Sequence, residues 1–309
     1  MSHTHHHAHD HAHDHASAGD RRARKLLFAF ALTAITLVAE AIGGWLSGSL
    51  ALLADAGHML VDAAALMFAW LGAHFAQRPA DARRSFGYAR LEVLVGYSNA
   101  LVQFVLVAWI VVEALLRLSE PQPILSGTML VVAIAGLVVN AFVLFVLSGH
   151  DHDDLNTASA RLHVLGDLFG SLGAVTAALL IGWLGWLWAD PIVSILVSLL
   201  ILASAWRLLR RSAHILLEGS PEGIDADRVG EALQREADGV RGVHHVHVWQ
   251  LAGGYHVATL HAQLHEGADA DQAIRSIHRV LREHFRIEHA TVQIEAQPCA
   301  HDGCAQGRC

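Results

Sequence analysis

Six apolar segments occupy the chain up to about residue 214. They cover residues 26–47, 51–76, 90–117, 124–147, 159–187 and 191–214. Each holds about 20 or more residues, the length that an α-helix needs to cross the roughly 30 Å hydrocarbon core of a bilayer. Short polar breaks at 47–49 and at Ala189-Asp190-Pro191 separate the first pair and the last pair, so we expect each pair to form a tight hairpin. The pattern predicts an α-helical membrane bundle of six transmembrane helices.

After residue 217 the pattern changes to that of a soluble domain. Apolar residues recur first at helical spacing and then with the period of two that is typical of strands, on either side of Gly253-Gly254. The predicted elements are helices 225–237 and 270–285 and strands 245–251, 256–264 and 291–295. This order predicts an αββαβ domain of the α+β class, with both helices on one face of a small sheet.

Composition and charge support a membrane protein and give its orientation. Hydrophobic residues make up 53% of the 309 residues and charged residues only 16%, which excludes an ordinary soluble protein. Cationic residues cluster at the same ends of the segments, at Arg21, Arg22, Arg24, Lys25, Arg78, Arg83, Arg84, Arg90, Arg161, Arg207, Arg210 and Arg211. By the positive-inside rule, both termini are expected in the cytoplasm. We therefore expect a multi-pass protein of the cytoplasmic (inner) membrane. Its expected partner is the lipid bilayer, and we expect no nucleic acid partner.

The two ends of the chain are rich in metal-binding side chains. Residues 1–16 contain eight of the 24 histidines and almost no apolar side chain, so we expect a disordered His-rich tail over 1–20. The transmembrane domain is then expected at 21–216, the cytoplasmic domain at 217–298 and a Cys/His tail at 299–309. All three cysteines lie in this last tail, which excludes a disulfide framework. The candidate tail chelators are His5, His7, His9, His11, Cys299 and Cys304.

Two matched pairs of ionisable residues lie inside the apolar segments. His58 and Asp62 in the second segment, and His163 and Asp167 in the fifth, are each four residues apart and therefore project from one face of a helix. Ionisable groups at this depth are costly and usually serve a function, often an ion path. Two imidazoles and two carboxylates suit a tetrahedral zinc or cobalt site. A purely structural role in holding the bundle together does not explain the duplicated spacing.

Further polar residues lie near these pairs. Asp55 shares a helix face with His58 and Asp62, and it is either an accessory carboxylate of the site or a helix-end residue at the membrane interface. Glu40 in the first segment and Asn140 in the fourth are expected to line the cavity or to pack rather than to bind the metal.

At this point the motifs resemble those of a known family. The six segments, the two HxxxD pairs, SFGYARLE at 85–92 and HHVHVWQL at 244–251 are similar to the cation diffusion facilitator family, in its branch of bacterial zinc/cobalt/cadmium efflux proteins and zinc transporters. The resemblance covers about residues 25–298. It implies a homodimer that exchanges divalent metal for protons, with ferredoxin-like cytoplasmic domains that dimerise and bind further metal.

The resemblance also suggests secondary sites. It puts His244, His261 and Glu295 where relatives bind metal in the cytoplasmic domain, while Gln297 replaces an aspartate that some relatives carry. Arg84 and Tyr88 occupy the histidine positions of a metal-binding loop in other members, so we expect no metal in that loop.

The sequence therefore predicts a secondary transporter that exports divalent metal from the cytoplasm in exchange for protons. Zinc is expected both as substrate and as regulatory ion, with cobalt and cadmium as further candidates and no organic cofactor. The alternatives are an intramembrane zinc metallohydrolase or a membrane metal sensor. The sequence has no HExxH motif, and four protein ligands leave no open coordination position for a hydrolytic water. A metal sensor has no need of six spans around an intramembrane site.

Overall fold

A computed structural model describes residues 31–76, 81–147, 155–252 and 254–295, with the side chains of 69–76, 146–147 and 155–163 outside this description. The tails expected at 1–20 and 299–309 lie outside the described residues, together with their candidate chelators. The chain divides into two compact units. One comprises Met1–Ala64 with Val102–Ala205, and the other comprises Ala65–Leu101 with Trp206–Cys309.

Helices account for the membrane-like part of the chain. They are α1 (Ala31–Ser47), α2 (Leu50–Ala76), α3 (Arg90–Ser119), α4 (Ser126–Leu147), α5 (Leu155–Leu184) and α6 (Ala189–Leu216). Five of them, α2 to α6, are long and apolar enough to cross a membrane, and α1 is a shorter apolar helix over its described residues. Many large apolar side chains on these helices point outward, including Trp45, Val105 and Phe145, whereas polar side chains such as Glu40 and Asn140 are buried. This distribution suits a bundle surrounded by lipid.

Small residues allow the helices of the first unit to approach closely. Ala174, Ala177 and Ala178 of α5 pack against Met129 and Ala133 of α4 in one buried cluster. Small side chains at helix interfaces are typical of membrane bundles, where van der Waals packing rather than water exclusion holds helices together. The α4–α5 contact therefore fixes the face of α5 that also carries Asp167.

The predicted α1–α2 hairpin is confirmed. Its turn contains Gly48 with φ of +74°, a conformation that glycine adopts without strain. The Arg117 guanidinium of α3 donates a hydrogen bond of 2.6 Å to the Gly48 carbonyl. The turn is thus tied to the end of α3.

The α5–α6 turn lies earlier in the chain than the sequence predicted. The prediction placed it at 189–191, but α5 ends at Leu184, Gly185 adopts φ of +69°, and α6 begins at Ala189. Pro191 lies in the first turn of α6, where a missing N–H breaks no intrahelical hydrogen bond.

The loop before α3 forms a small polar network without histidine. The Asp81 carboxylate accepts hydrogen bonds from the Tyr88 hydroxyl at 2.9 Å and from the backbone N–H groups of Arg83 and Arg84. The Arg84 guanidinium lies 4.7 Å from the centre of the Tyr88 ring. These contacts, with the Tyr88 hydroxyl as the largest cause, hold the pKa of Asp81 below its ordinary value.

Replacing Tyr88 with phenylalanine is expected to raise the Asp81 pKa toward its ordinary value. Because the folded loop lowers this pKa, the contact stabilises the loop above the ordinary aspartate pKa and is lost as the pH falls through the folded value. An NMR titration of the Asp81 carboxyl carbon measures the change. An unchanged titration curve in Tyr88→Phe would show that the hydroxyl does not set the pKa.

The soluble domain has the predicted αββαβ order. Its elements are α7 (Ala226–Glu236), β1 (Val240–Gln250), β2 (His256–Leu264), α8 (Ala270–Phe285) and β3 (Ile287–Glu295). The sheet order is β1-β2-β3, with β1 antiparallel and β3 parallel to β2. Both helices begin at an aspartate, Asp225 and Asp269, whose side chain accepts a hydrogen bond from a backbone N–H of the first turn.

One apolar core holds this domain together. The two helices contact each other and share a buried cluster with the sheet. The cluster contains Val229, Leu233, Ala237, Val240, Val248, Ala258, Leu260, Ala262, Ile277, Val280, Leu281 and Ile287. Both helices therefore lie on one face of the sheet, as predicted, and the other face is left for polar side chains.

Candidate metal sites

The intramembrane pairs come from α2 and α5. Asp55, His58 and Asp62 follow one another at spacings of three and four residues along α2, so they share one face of the helix. Asp167 projects from α5 toward them. His58 is 8% exposed and Asp167 6% exposed, so the groups are shielded from solvent in the unit that contains them.

Three of the four residues in the two predicted pairs lie close together. The four residues His58, Asp62, His163 and Asp167 are called the quartet below. The His58 Nε2 atom lies 3.7 Å from Asp62 Oδ2 and 4.0 Å from Asp167 Oδ1. His163 belongs to α5 one helical turn before Asp167, but its side chain lies outside the described residues. The described donors are one imidazole nitrogen and two carboxylates, a set that suits zinc or cobalt.

Sequence reasoning missed one residue that touches this quartet. Gln103 of α3 is 4% exposed, and its amide nitrogen donates a hydrogen bond of 2.5 Å to Asp62 Oδ1. This contact orients the carboxylate and resembles the outer partners that fix metal ligands. The available signal was one polar residue in the apolar run Leu101-Val102-Gln103-Phe104-Val105.

The predicted accessory residues lie near the quartet. Asp55 is 5% exposed, and its carboxylate would be about 3.5 Å from a Cβ atom at Gly170 of α5. The Asn140 amide of α4 donates to Ser171 Oγ at 3.0 Å, one turn along α5 from Asp167. Asp55 is therefore a buried residue next to α5 rather than a helix-end residue at the interface.

The second candidate site lies on the sheet of the soluble domain. His244 of β1 and His261 of β2 are direct cross-strand partners, and Glu295 ends the neighbouring strand β3. The Glu295 carboxylate lies 3.0 Å from His244 Nε2 and 2.8 Å from His261 Nδ1. One ligand atom from each residue fits within 4.8 Å of the others, so these three could hold one metal ion. The structure brings together all three residues that the sequence resemblance suggested.

His245 is a further histidine at this position that was not predicted. It adopts φ of +52° within an irregularity of β1 between His244 and His247. Its ring stacks on that of His261 at 4.9 Å, with an interplanar angle of 26°. A bulged residue is aimed differently from the alternating pattern, which is why its side chain joins the His244 and His261 face.

The remaining predicted groups have different outcomes. The tail chelators lie outside the described residues. The Arg84 guanidinium donates a hydrogen bond to the Tyr88 hydroxyl, which in turn donates to the Asp81 carboxylate, and the absence of a metal from this loop stays a prediction. Gln297 lies outside the described residues.

Two family models match the chain along most of its length. The model described as "Cation efflux transmembrane domain" matches residues 26–217, and the one described as "Cation efflux protein, cytoplasmic domain" matches residues 221–297. The chain belongs to the cation efflux family. The predicted resemblance to this family is confirmed.

Named relatives are similar to the cation efflux protein over nearly its whole length. It is 49% identical to the zinc transporter ZitB of Escherichia coli (strain K12) over 286 residues, which cover 92% of this chain and 91% of ZitB. It is 37% identical over 282 residues to the "Cadmium, cobalt and zinc/H(+)-K(+) antiporter" of Bacillus subtilis (strain 168), with 90% of each chain covered. Among solved structures, the "Metal-bound C-terminal domain of the CzcD transporter from Cuprividus metallidurans" matches 23% of this chain and 99% of that chain, at 25% identity and a TM-score of 0.22.

Family membership gives the class of protein. A cation efflux protein with five helices of membrane-spanning length among its described residues is a multi-pass membrane transporter rather than an enzyme. Family membership thus supports the predicted transporter over the metallohydrolase alternative.

Proposed function

We propose that this cation efflux protein is a zinc/proton antiporter that carries Zn²⁺ out of the cytoplasm through His58, Asp62, His163 and Asp167. Cobalt and cadmium are further substrates in this proposal. The observation that supports it is the convergence of the largely buried side chains of His58 and Asp62 from α2 and Asp167 from α5. The Escherichia coli relative is named a zinc transporter, and the name of the Bacillus subtilis relative includes zinc with cadmium and cobalt, which supports zinc as a cargo.

Competition between metal and protons provides the coupling. Only a neutral imidazole binds metal, so protonation of His58 and His163 releases the ion. Loss of these protons then restores the metal-binding site. A divalent ion in hydrocarbon also needs ligands that replace its hydration shell, which two carboxylates and two imidazoles provide. Metal ions can then leave on the acidic side of the membrane, and the protonated histidines carry protons back in the opposite direction.

A proteoliposome experiment tests the exchange. The purified protein is reconstituted with a zinc indicator inside the vesicles, and an acid-inside pH gradient is imposed. We expect Zn²⁺ uptake that stops when a protonophore collapses the gradient, together with alkalinisation of the interior. Uptake at the same rate without a gradient and without proton movement would contradict antiport.

The wider architecture of the proposal follows the sequence. We infer six spans, with α1 as the first, in the cytoplasmic (inner) membrane and both termini in the cytoplasm. The proposed domains are a His-rich tail at 1–20, a transmembrane domain at 21–216, a ferredoxin-like domain at 217–298 and a Cys/His tail at 299–309. The αββαβ order of the described elements, which matches the βαββαβ unit without its first strand, supports the ferredoxin-like assignment. The working unit is a homodimer formed through this domain.

A regulatory role for zinc rests on the second candidate site. His244, His261 and Glu295 offer two nitrogens and a carboxylate on neighbouring strands, a donor set that suits zinc. The stacked ring of His245 restricts movement of the His261 imidazole. Zinc bound here would tie β1, β2 and β3 together in response to cytoplasmic metal.

Replacing Glu295 with glutamine is expected to weaken zinc binding to the cytoplasmic domain by about 10- to 100-fold, because both imidazoles lose their shared anionic partner. Calorimetry on the full chain carrying Asp167→Ala separates this site from the transport site. Glu283→Gln is the matched control, since Glu283 lies on the exposed surface of α8. Equal zinc affinities for the Glu295 and Glu283 variants would count against the site.

A further inference from the structure

Glu40 is a buried carboxyl group that the proposed quartet does not use. It lies on α1 and is 1% exposed, and neither of its carboxylate oxygens has a hydrogen-bond partner among the described residues. Buried polar groups without partners are rare and costly, and each one calls for a ligand or another physical reason.

The surroundings of Glu40 consist of oxygen donors and glycine. A methyl group at Gly136 of α4 would overlap Glu40 Oε1 and would lie 3.6 Å from Ser171 Oγ. Ser171 in turn accepts the hydrogen bond from Asn140. The Asp55 oxygens would lie about 3.5 Å from a Cβ atom at Gly170, the residue before Ser171, so Glu40 and Asp55 both approach the same turn of α5. Two carboxyl groups, the Ser171 hydroxyl and the Asn140 amide that donates to it come from four helices and lie near two glycines, Gly136 and Gly170.

This oxygen cluster and the quartet lie at different depths along the axis of the helix bundle. Asp55 is three residues nearer the α1–α2 turn than His58, and Ser171 is four residues beyond Asp167 on α5. At 1.5 Å per residue, the cluster is displaced by about 5 Å toward the α1–α2 turn. An ion that moves from the quartet toward that turn would meet Asp55 and Glu40 next.

We propose that Glu40 and Asp55, with the Ser171 hydroxyl that the Asn140 amide orients, form a second intramembrane site that takes a divalent metal ion as it leaves the quartet. The inference rests on the proposed transport function. A divalent ion would neutralise the two neighbouring carboxylates, and the Ser171 hydroxyl would add a third oxygen ligand. Oxygen-only sites favour hard cations and bind zinc less tightly than sites with imidazole. The second site therefore accepts zinc from the quartet and releases it readily.

Manganese is the probe for this site because it favours oxygen ligands. Electron paramagnetic resonance on the purified full chain counts bound Mn²⁺ in the wild type, Glu40→Gln and Gly136→Ala. We expect each variant to bind one Mn²⁺ fewer than the wild type, the first by loss of charge and the second by steric closure. Glu113→Gln is the matched control, because Glu113 already pairs with Arg117 at 2.9 Å. An unchanged Mn²⁺ count in both Glu40→Gln and Gly136→Ala, with thermal unfolding as in the wild type, would overturn the proposal.

Transport provides the second arm of the test. In Glu40→Gln we expect zinc flux to fall by about tenfold or more while the zinc affinity of the quartet stays unchanged. A normal flux would overturn the second site, yet loss of flux in a quartet variant would still support the transport function. A flux that loses its pH dependence while the Mn²⁺ count is unchanged would make Glu40 a proton carrier and would also overturn the metal site.

Discussion

Replacing Asp167 with alanine is expected to reduce zinc transport by more than about 100-fold, since even the partners of metal ligands cost about 10- to 100-fold when removed. The Asp167 carboxylate lies 4.0 Å from His58 Nε2 and faces it from a different helix. Its loss leaves α5 with His163 alone as a donor and removes a negative charge that offsets the charge of the ion. Zinc uptake into proteoliposomes under an acid-inside pH gradient measures the effect.

An asparagine at the same position separates the charge from the shape. Asp167→Asn keeps the volume and one oxygen, so it should fold as the wild type does and still transport poorly, because a neutral amide is a weaker zinc ligand than a carboxylate. Thermal unfolding in detergent checks that both variants are intact. Wild-type flux in a folded Asp167→Ala variant would remove the quartet from the mechanism.

Periodic elements were predicted well because their spacing reports local structure. The α8 helix covers residues 270–285 as predicted, since its apolar positions and the Asp269 cap agree. The start of β1 was missed by five residues, because the irregularity between His244 and His247 shifts the alternation on which strand prediction depends. The α5–α6 turn was misplaced because proline is compatible with both a turn and the first turn of a helix.

The candidate site residues also divide into those that the sequence predicts and those that only the structure places. The spacing of His58 with Asp62 and of His163 with Asp167 can be read from the sequence, because it depends on one helix at a time. Gln103 and Glu40 were visible as polar residues in apolar helices, but their neighbours depend on how helices pack against one another. Single-sequence periodicity does not specify that packing, so the Gln103–Asp62 contact and the position of Glu40 against Gly136 required the structure.

Asp190 is another residue whose role depends on packing. The sequence suggested a turn residue, but Asp190 lies in the first turn of α6 and is fully buried. Its carboxylate accepts hydrogen bonds from Ser49 Oγ at 2.6 Å and from the backbone N–H groups of Leu50 at 2.7 Å and Ala51 at 3.2 Å. The carboxylate therefore caps the N-terminus of α2 from a distant part of the chain, where a negative charge also complements the helix dipole.

Replacing Asp190 with alanine is expected to lower the free energy of unfolding by about 3 kcal/mol or more, because hydrogen bonds to charged groups contribute about 1.5–3 kcal/mol each and two buried N–H groups lose their acceptor. Denaturation of the detergent-solubilised protein measures the loss. Ser49→Ala removes only the hydroxyl contact and the local cap, so its cost should be about 1 kcal/mol. An Asp190→Ala variant no less stable than Ser49→Ala would show that the carboxylate does not hold α6 to the start of α2. A loss of stability larger than that of Ser49→Ala would mean that Asp190 of α6 holds the start of α2, the helix that carries His58 and Asp62. The proposed zinc site would then depend on a residue that does not contact the ion.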